Sequence, residues 1–248
     1  MRHPSPLGIQ LYSVRDDIGP ADLETTLKRL AGMGFTHAEP YRILDRTEQL
    51  GEALAAAGLQ VTAAHANVTT SDRDAYFDAA ARLGLDTLIV PWTEPDALSS
   101  RNGVAAVAAA INDAARRAAD RGLRVGYHNH DFEFSQVVDG TAAYEILAEA
   151  LDGEVVLEVD TFWASMGGAD VFELIPRLGS RVRFLHVTNE PPDDDDPPPL
   201  GPATTGRMAE VVRLGTPFVQ MPVVEAVVHS GDVFPVLERN AAFFLGQS

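Results

Sequence analysis

Short apolar runs alternate along the chain with longer segments in which apolar residues recur at helical spacing. Residues 7–12 are typical of a first strand, and Leu23, Leu27 and Leu30 mark one face of the helix that follows. The same pair of patterns recurs to the end of the chain. Strands are predicted over residues 7–12, 35–39, 59–65, 87–90, from 125 onward, and over 155–160, 182–187 and 223–227. Helices are predicted over residues 22–31, 48–57, 72–83, 104–121, 141–151, 171–178 and 233–244.

Eight strands that alternate with helices, without a break in composition, favour an α/β fold with a single (β/α)8 TIM barrel domain over residues 1–248. An open, doubly wound parallel sheet is the alternative. That fold carries a glycine-rich phosphate loop after its first strand, whereas residues 12–15 of this chain read YSVR. The barrel is therefore the favoured fold.

One segment interrupts the pattern, with prolines and four consecutive aspartates at about residues 190–207. Proline removes amide donors and adjacent carboxylates repel one another, so neither a helix nor a strand is expected there. The segment is either a metal clasp or a solvated loop, and we favour the loop because nothing holds the carboxylates in a defined geometry. The chain from there to about Met221 is predicted to be a long connection and a candidate lid.

Composition narrows the classes of function. The 248 residues are 46% hydrophobic, enough for a sizeable core, and the absence of cysteine excludes disulfides, thiolate catalysis and cysteine metal sites. The formal charge of −17 argues against binding to nucleic acid. Residues 1–6 lack the apolar core of a signal peptide and no apolar run reaches membrane-spanning length, so a cytoplasmic protein is expected.

Ionisable side chains stand at the ends of most predicted strands, which is where barrel enzymes carry their chemistry. Any one of them has an ordinary explanation as a core histidine or a rim ion pair, but together they indicate a metal or acid–base site. Two imidazoles with two carboxylates suit manganese, zinc, cobalt or iron(II) better than magnesium. The residues are Glu39, His65, His128, His130, Glu158, Asp160, His186 and Glu225.

Four motifs make the chain similar to the xylose isomerase-like TIM barrel superfamily. They are GIQLYSVR (8–15), YHNHDFEF (127–134), DTFW (160–163) with GGAD (167–170), and LHV (185–187). The resemblance covers nearly the whole chain. It is strongest to the sugar phosphate isomerase/epimerase branch, near the inosose dehydratases and ketose 3-epimerases.

The resemblance implies one divalent metal ion, held by side chains from strands five to eight: His128, Asp160, His186 and Glu225. The family has a glutamate on strand five, so His128 departs from its pattern, and His130 remains open as the strand-five ligand. Residues 188–190 read TNE where the branch often has a lysine and an aspartate, which disfavours a phosphorylated substrate.

The resulting hypothesis is a metal-dependent isomerase or epimerase that acts on a sugar, keto-sugar or cyclitol through an enediolate-type intermediate. Glu225 is the expected base and His130 or Glu158 the partner acid. The predicted substrate contacts are Tyr12, Glu39, His65, Phe162 and Trp163.

Three alternatives stay open beside this hypothesis. The same site would suit a dehydratase acting on a keto-sugar or keto-cyclitol, and a sugar-binding barrel without catalysis would keep many of the same residues. DNA repair of the endonuclease IV type is disfavoured by the seven histidines and the acidic charge. A homo-oligomer fits the resemblance, but no interface is predicted from the sequence.

Overall fold

The computed structural model describes residues 6–188, 208–226 and 232–246. Over these residues, parallel strands form one barrel with helices on its outer side. The acidic, proline-rich segment at 190–207 lies outside the described residues. The strands are β1 (Gly8–Gln10), β2 (His37–Glu39), β3 in two segments (Gln60–Val61 and Ala63–His65), β4 (Thr87–Val90), β5 (Arg124–His128), β6 (Val156–Asp160), β7 (Val182–Val187) and β8 (Met221–Val224).

The third strand closes the barrel because its two segments pair with different neighbours. The segment Gln60–Val61 pairs with β2, whereas Ala63–His65 pairs with β4. Since β1 pairs with both β2 and β8, the order of the strands returns on itself. The predicted (β/α)8 barrel is confirmed, and the open doubly wound sheet is wrong.

The predicted helices follow the strands with shifted ends, and three further helices that the pattern does not predict lie at Phe132–Ser135, Thr161–Met166 and Met208–Gly215. The predicted first strand stops at Gln10 because its side chain accepts a hydrogen bond from the backbone N–H of Tyr12, at 3.1 Å, and begins a short 3₁₀ helix, Leu11–Val14. The helix predicted from 141 starts at Ala143, since Thr141–Ala142 pairs with Val137–Val138 in a small hairpin. The helices are α1 (Leu23–Gly32), α2 (Thr47–Ala57), α3 (Arg73–Leu83), α4 (Arg101–Ala119), α5 (Phe132–Ser135), α6 (Ala143–Ala150), α7 (Thr161–Met166), α8 (Val171–Leu178), α9 (Met208–Gly215) and α10 (Phe234–Phe244).

The expected lid between the acidic segment and Met221 is wrong for its described part. Met208–Gly215 forms α9, which packs against α8 and β7. Val211 is buried there, and a Cβ added at Gly215 would lie 2.8 Å from Leu185 on β7. This part of the chain therefore covers the barrel wall. In the described parts of the chain, no helix combines the length and apolar character needed to cross a membrane.

The interior of the barrel has two layers. The first, which we call the apolar layer, is a buried cluster of Ala63, Ile89, Phe184, Met221 and Val223. Two residues further along several strands, the inward positions are ionisable. Because inward positions recur every second residue, the site lies directly above the apolar layer at the carboxyl ends of the strands.

Candidate active site

A cavity of about 440 Å³ opens at the carboxyl end of the barrel. Its walls combine aromatic rings with imidazoles and one carboxylate, a mixture suited to a polar ligand with apolar faces. The lining residues are Tyr12, Tyr41, Arg42, His65, Ala66, Asn67, Tyr76, Pro91, Trp92, His128, His130, Trp163 and Glu225.

Four side chains at the floor of this cavity form what we call the upper cluster: His128, Asp160, His186 and Glu225. Each offers one nitrogen or oxygen atom, and these atoms all lie within 4.8 Å of one another. Nδ1 of His186 is 2.8 Å from Oε2 of Glu225 and 3.9 Å from Oδ2 of Asp160. These are the four residues that the resemblance implies as metal ligands, and their role remains a prediction.

Local structure holds the two carboxylates of the upper cluster in place. Asp160 ends β6 and caps α7, because its Oδ1 accepts a hydrogen bond from the N–H of Trp163 at 2.7 Å. Glu225 follows β8, where its own N–H donates to the carbonyl of Val187 at 3.1 Å. The next N–H, that of Ala226, donates to Oγ of Ser13 at 3.0 Å.

Asn129 joins the ends of the fifth and sixth strands. Its side-chain amide donates to the carbonyl of Asp160 and accepts from the N–H of Asp160, both at 3.1 Å. Asn129 thus continues the pairing beyond the end of β5 and sets the position of His128 relative to Asp160.

Beneath the upper cluster lies a second group, which we call the lower cluster: Glu39, His65 and Glu158. Nε2 of His65 is 2.7 Å from Oε2 of Glu158 and 3.1 Å from Oε1 of Glu39. Oε1 of Glu39 also accepts a hydrogen bond from the Gln10 amide at 2.6 Å. Glu39 and Glu158 are 1% and 0% exposed, so both carboxylates are shielded from water.

The electrostatics of the clusters favour a cation. Burial and the neighbouring Glu225 carboxylate raise the pKa of Asp160 to about 8. For Glu225, burial acts in the opposite sense, but the contact with His186 prevails and lowers its pKa to about 2. Burial also opposes protonation of His65, yet Glu158 and Glu39 outweigh it and raise the pKa of His65 to about 10.

The donor set fits a divalent metal ion. Three buried carboxylates and the partly buried Glu225 surround three imidazoles, and no lysine or arginine of the described residues forms an ion pair with these carboxylates. Imidazole nitrogens with carboxylate oxygens are the donors that manganese, zinc, cobalt and iron(II) accept. Those in the upper cluster are His128, Asp160, His186 and Glu225.

His130 lies at the cavity wall among aromatic rings. Its ring centroid is 4.8 Å from that of Trp92 and 6.1 Å from that of Trp163. Burial and the nearby His128 lower the pKa of His130 to about 3, so the ring is neutral at pH 7. Its Nδ1 is buried and has no hydrogen-bond partner among the described residues. The ring therefore presents a neutral imidazole to the cavity, with one nitrogen that no described residue hydrogen-bonds.

Glu133 supports His130 from below. One of its carboxylate oxygens accepts from the N–H of His130 and the other from the hydroxyl of Tyr127, each at 2.8 Å. Burial raises the pKa of Glu133 to about 7. The sequence analysis assigns no role to this residue.

The structure separates the residues predicted to contact a substrate. Tyr12, His65 and Trp163 line the cavity, whereas Glu39 lies below it. Phe162, at 8% exposure, packs against Trp163 and is not among the described residues that line the cavity. Of the residues predicted for proton transfer, Glu225 and His130 line the cavity and Glu158 lies in the lower cluster.

Several lining residues are not predicted from the sequence. Most of them lie on loops after the second, third and fourth strands, and Tyr76 lies on α3. Their one signal is position, since these loops open on the catalytic face of any such barrel. The residues missed are Tyr41, Arg42, Asn67, Tyr76 and Trp92.

A family model described as xylose isomerase-like TIM barrel matches residues 27–210. The match covers most of the chain, and the chain belongs to this family. The resemblance inferred from the motifs is thereby confirmed. A sequence search of curated proteins finds no match.

Solved structures share the fold over nearly the whole chain. A sugar phosphate isomerase/epimerase from Parabacteroides distasonis has a TM-score of 0.77 at 22% identity, over 98% of this chain and 94% of that one. A probable 3-DHS dehydratase from Bacillus anthracis has a TM-score of 0.71 at 11% identity, over 98% and 100%. A D-allulose 3-epimerase from a Methylomonas species has a TM-score of 0.68 at 15% identity, over 98% of both chains. At these identities the likeness concerns the fold.

Proposed function

We propose that this protein is a divalent-metal-dependent isomerase or epimerase of a sugar, keto-sugar or cyclitol. The observation that carries the proposal is the upper cluster at the floor of a cavity with aromatic walls. Aromatic faces suit the C–H faces of a sugar ring, and the polar floor suits its hydroxyl and carbonyl groups. The family to which the chain belongs and the names of the structural neighbours agree with this class of substrate.

His128, Asp160, His186 and Glu225 would hold the ion. A metal bound there polarises a substrate carbonyl and a neighbouring hydroxyl, which acidifies the carbon between them. Manganese, zinc, cobalt or iron(II) fits the donors better than magnesium, because two of the four are imidazoles.

Glu225 is the base in this proposal. It is the one carboxylate among the described residues that lines the cavity, and its low pKa keeps it ionised at neutral pH. His130 is the second proton-transfer group, since its neutral ring lines the same cavity with an unpaired Nδ1. Glu158 is less suited to proton transfer, because its carboxylate is buried beneath the imidazoles.

The remaining lining residues would bind and orient the substrate. His65 and Asn67 offer hydrogen bonds to hydroxyl groups, and Trp92 and Trp163 offer apolar faces on either side of His130. A dehydratase would share the same first proton transfer and then lose a hydroxyl group. Product analysis distinguishes the two outcomes.

The first test is elemental analysis of protein purified without chelator. We expect about one manganese, zinc, cobalt or iron ion per chain, lost in His128→Ala and in Glu225→Gln. Glu24→Gln on the exposed face of α1 is the control, and it should keep the ion. An ion retained in His128→Ala would move the ligand role to His130.

The second test is proton exchange in heavy water, followed by NMR, with D-fructose, D-allulose and 2-keto-myo-inositol. Deuterium at the carbon next to the carbonyl supports an isomerase or epimerase, and loss of water supports a dehydratase.

Protein that binds no ion after reloading with excess metal would refute the metal-dependent mechanism. A sugar-binding barrel without catalysis would then be the better description.

A further inference from the structure

We propose that the lower cluster positions the metal ligands: Glu39 and Glu158 accept the ring N–H groups of His186 and His128, and so fix which nitrogen of each ring faces the ion. The inference rests on the proposed metal site. It gives Glu39 and Glu158 a role different from the substrate contact and the acid predicted from the sequence.

His186 lies between the two clusters and turns one nitrogen to each. Its Nδ1 is 2.8 Å from Oε2 of Glu225 in the upper cluster. Its Nε2 is 3.1 Å from Oε1 of Glu39 and 3.2 Å from Oε2 of Glu158 in the lower cluster. The ring is fully buried, so these carboxylates are its partners on both edges.

His128 is shared in the same way. Its Nδ1 is 3.1 Å from Oε2 of Glu158 in the lower cluster. The other nitrogen, Nε2, is therefore the one left for the upper cluster. The ring is 2% exposed and packs against the rings of His65 and His186, with centroids 4.9 and 4.7 Å away.

A neutral imidazole has one N–H and one lone pair, and an ionised carboxylate only accepts hydrogen bonds. With a metal ion in the upper cluster, the nitrogens beside Asp160 and Glu225 bind the ion, and the nitrogens that face Glu39 and Glu158 carry the hydrogens: Nε2 of His186 and Nδ1 of His128. The lone pairs of both rings then point to the upper cluster, as a metal ion there requires.

The same reasoning limits the lower cluster. One atom each from His65 and Glu158 of the lower cluster and from the shared rings of His128 and His186 also lie within 4.8 Å of one another. If each cluster held an ion at the same time, both nitrogens of His128 and both nitrogens of His186 would have to bind metal. A neutral imidazole has a single lone pair, so each ring can bind only one ion while it keeps its N–H group. The two clusters therefore compete for one ion.

Access to solvent favours the upper cluster. His65 of the lower cluster lines the cavity, as His128 does, but Glu225 of the upper cluster is the one carboxylate among the described residues that lines it, whereas Glu39 and Glu158 are buried. Glu39 also holds a protein donor, the Gln10 amide at 2.6 Å. One observation favours an ion in the lower cluster instead. Oε2 of Glu39 and Oε1 of Glu158 are buried and have no hydrogen-bond partner among the described residues. The experiment must therefore locate the ion.

The experiment combines metal affinity with the tautomers of the histidines. Zinc affinity is measured by competition with a chelating dye, and long-range proton–nitrogen NMR of ¹⁵N-histidine-labelled, zinc-loaded protein reads which nitrogen carries the hydrogen. We expect Nδ1–H for His128 and Nε2–H for His186. Glu158→Leu removes the acceptor and should weaken zinc binding by about 10- to 100-fold, with a changed His128 signal.

Two further variants separate positioning from a general loss of packing. Glu158→Gln keeps an acceptor oxygen and should recover most of the affinity even if the leucine variant folds poorly. Glu133→Gln makes the same chemical change at another buried glutamate, whose partners are the Tyr127 hydroxyl and a backbone amide, and should leave zinc affinity and both tautomers unchanged.

Three results would overturn the inference. Unchanged affinity and tautomers in Glu158→Leu would leave the proposed function standing without a positioning role. Zinc lost in His65→Ala and Glu158→Leu but kept in Asp160→Asn would place the ion in the lower cluster. A wild-type protein that binds no zinc, manganese or cobalt would refute the proposed function itself, and the inference with it.

Discussion

The two layers inside the barrel are built by the same strands and differ in what they do for the protein. Phe184 in the apolar layer and His186 in the upper cluster are two residues apart on β7. Ala63 and His65 have the same relation on β3. A shift of two residues along a strand thus changes the interior from close-packed hydrocarbon to a cluster of ionisable groups.

The apolar layer stabilises the barrel, whereas the layer of ionisable groups costs free energy. Burial of the apolar layer stabilises the fold in proportion to the area removed from water. Burial of carboxylates such as Glu39 and Glu158 costs free energy that hydrogen bonds only partly offset. Groups of that kind are typical of binding and catalytic sites, so substitutions in the two layers should affect stability and metal binding differently.

The largest effect on stability is expected in the apolar layer. Phe184→Ala removes a fully buried ring and should lower the free energy of unfolding by about 3–5 kcal/mol. Metal affinity of the folded protein should stay unchanged, because Phe184 belongs to the apolar layer and is not one of the proposed ligands. Urea unfolding and calorimetric metal titration measure the two quantities. Phe184→Leu is the control, because it keeps most of the buried apolar volume. If Phe184→Ala lowered the free energy of unfolding by less than about 1 kcal/mol, the apolar layer would not be the stabilising layer of the barrel.

The sequence predicts the strands well because each barrel strand is buried on both faces. A run such as residues 182–187 is apolar apart from Arg183 near its start and His186 near its end, and His186 marks the position where the site begins. The same argument identified Asp160 and Glu225. Alternation along a strand also predicts that Glu158 and Asp160 share a face.

Depth within the barrel is harder to predict from the sequence. Alternation places Glu39 and Glu158 inward, but their height relative to the cavity depends on how the strands are staggered around the barrel. Phe162 and Trp163 are adjacent in α7, and the orientation of that short helix decides which ring reaches the cavity. The third strand is interrupted at Thr62, and its two segments pair with β2 and with β4, which closes the barrel. This pairing joins residues that are far apart in the chain, so a local sequence pattern does not predict it.

A smaller effect is expected at Glu133, which lies beside the site without joining either cluster. Its pKa is raised to about 7 in the folded protein, above the value of about 4.3 expected in the unfolded chain. Between these values the folded state holds a proton that the unfolded state has released. Stability from this group is therefore lost as the pH rises from about 4.5 to 7, by at most about 3 kcal/mol.

Glu133→Gln should remove this pH dependence. The amide oxygen still accepts one hydrogen bond, and the Tyr127 hydroxyl can accept one from the amide N–H. The difference in unfolding free energy between the variant and the wild type should shift in favour of the variant from pH 5 to pH 8. Urea unfolding at both pH values measures it. An unchanged difference would show that Glu133 is already ionised in the folded state at pH 5.

The smallest effect is expected at the cavity wall, where Trp92 is 42% exposed and its ring centroid lies 4.9 Å from that of Phe132. Trp92→Ala should change the free energy of unfolding by less than about 1 kcal/mol, because Trp92 is exposed and belongs to neither buried core cluster of the described residues. It should weaken binding of a keto-sugar by about 5- to 10-fold, through loss of an aromatic face worth about 1 kcal/mol.

The control for this variant is Met166→Ala, another exposed apolar side chain, which lies on α7 and is not among the described residues that line the cavity. Calorimetric titration with D-fructose and 2-keto-myo-inositol compares the two variants in metal-loaded protein. If Met166→Ala weakens binding as much as Trp92→Ala, the aromatic wall has no specific role. Weaker binding in Trp92→Ala alone, with metal affinity unchanged, would separate recognition of the ring from the chemistry at the barrel floor.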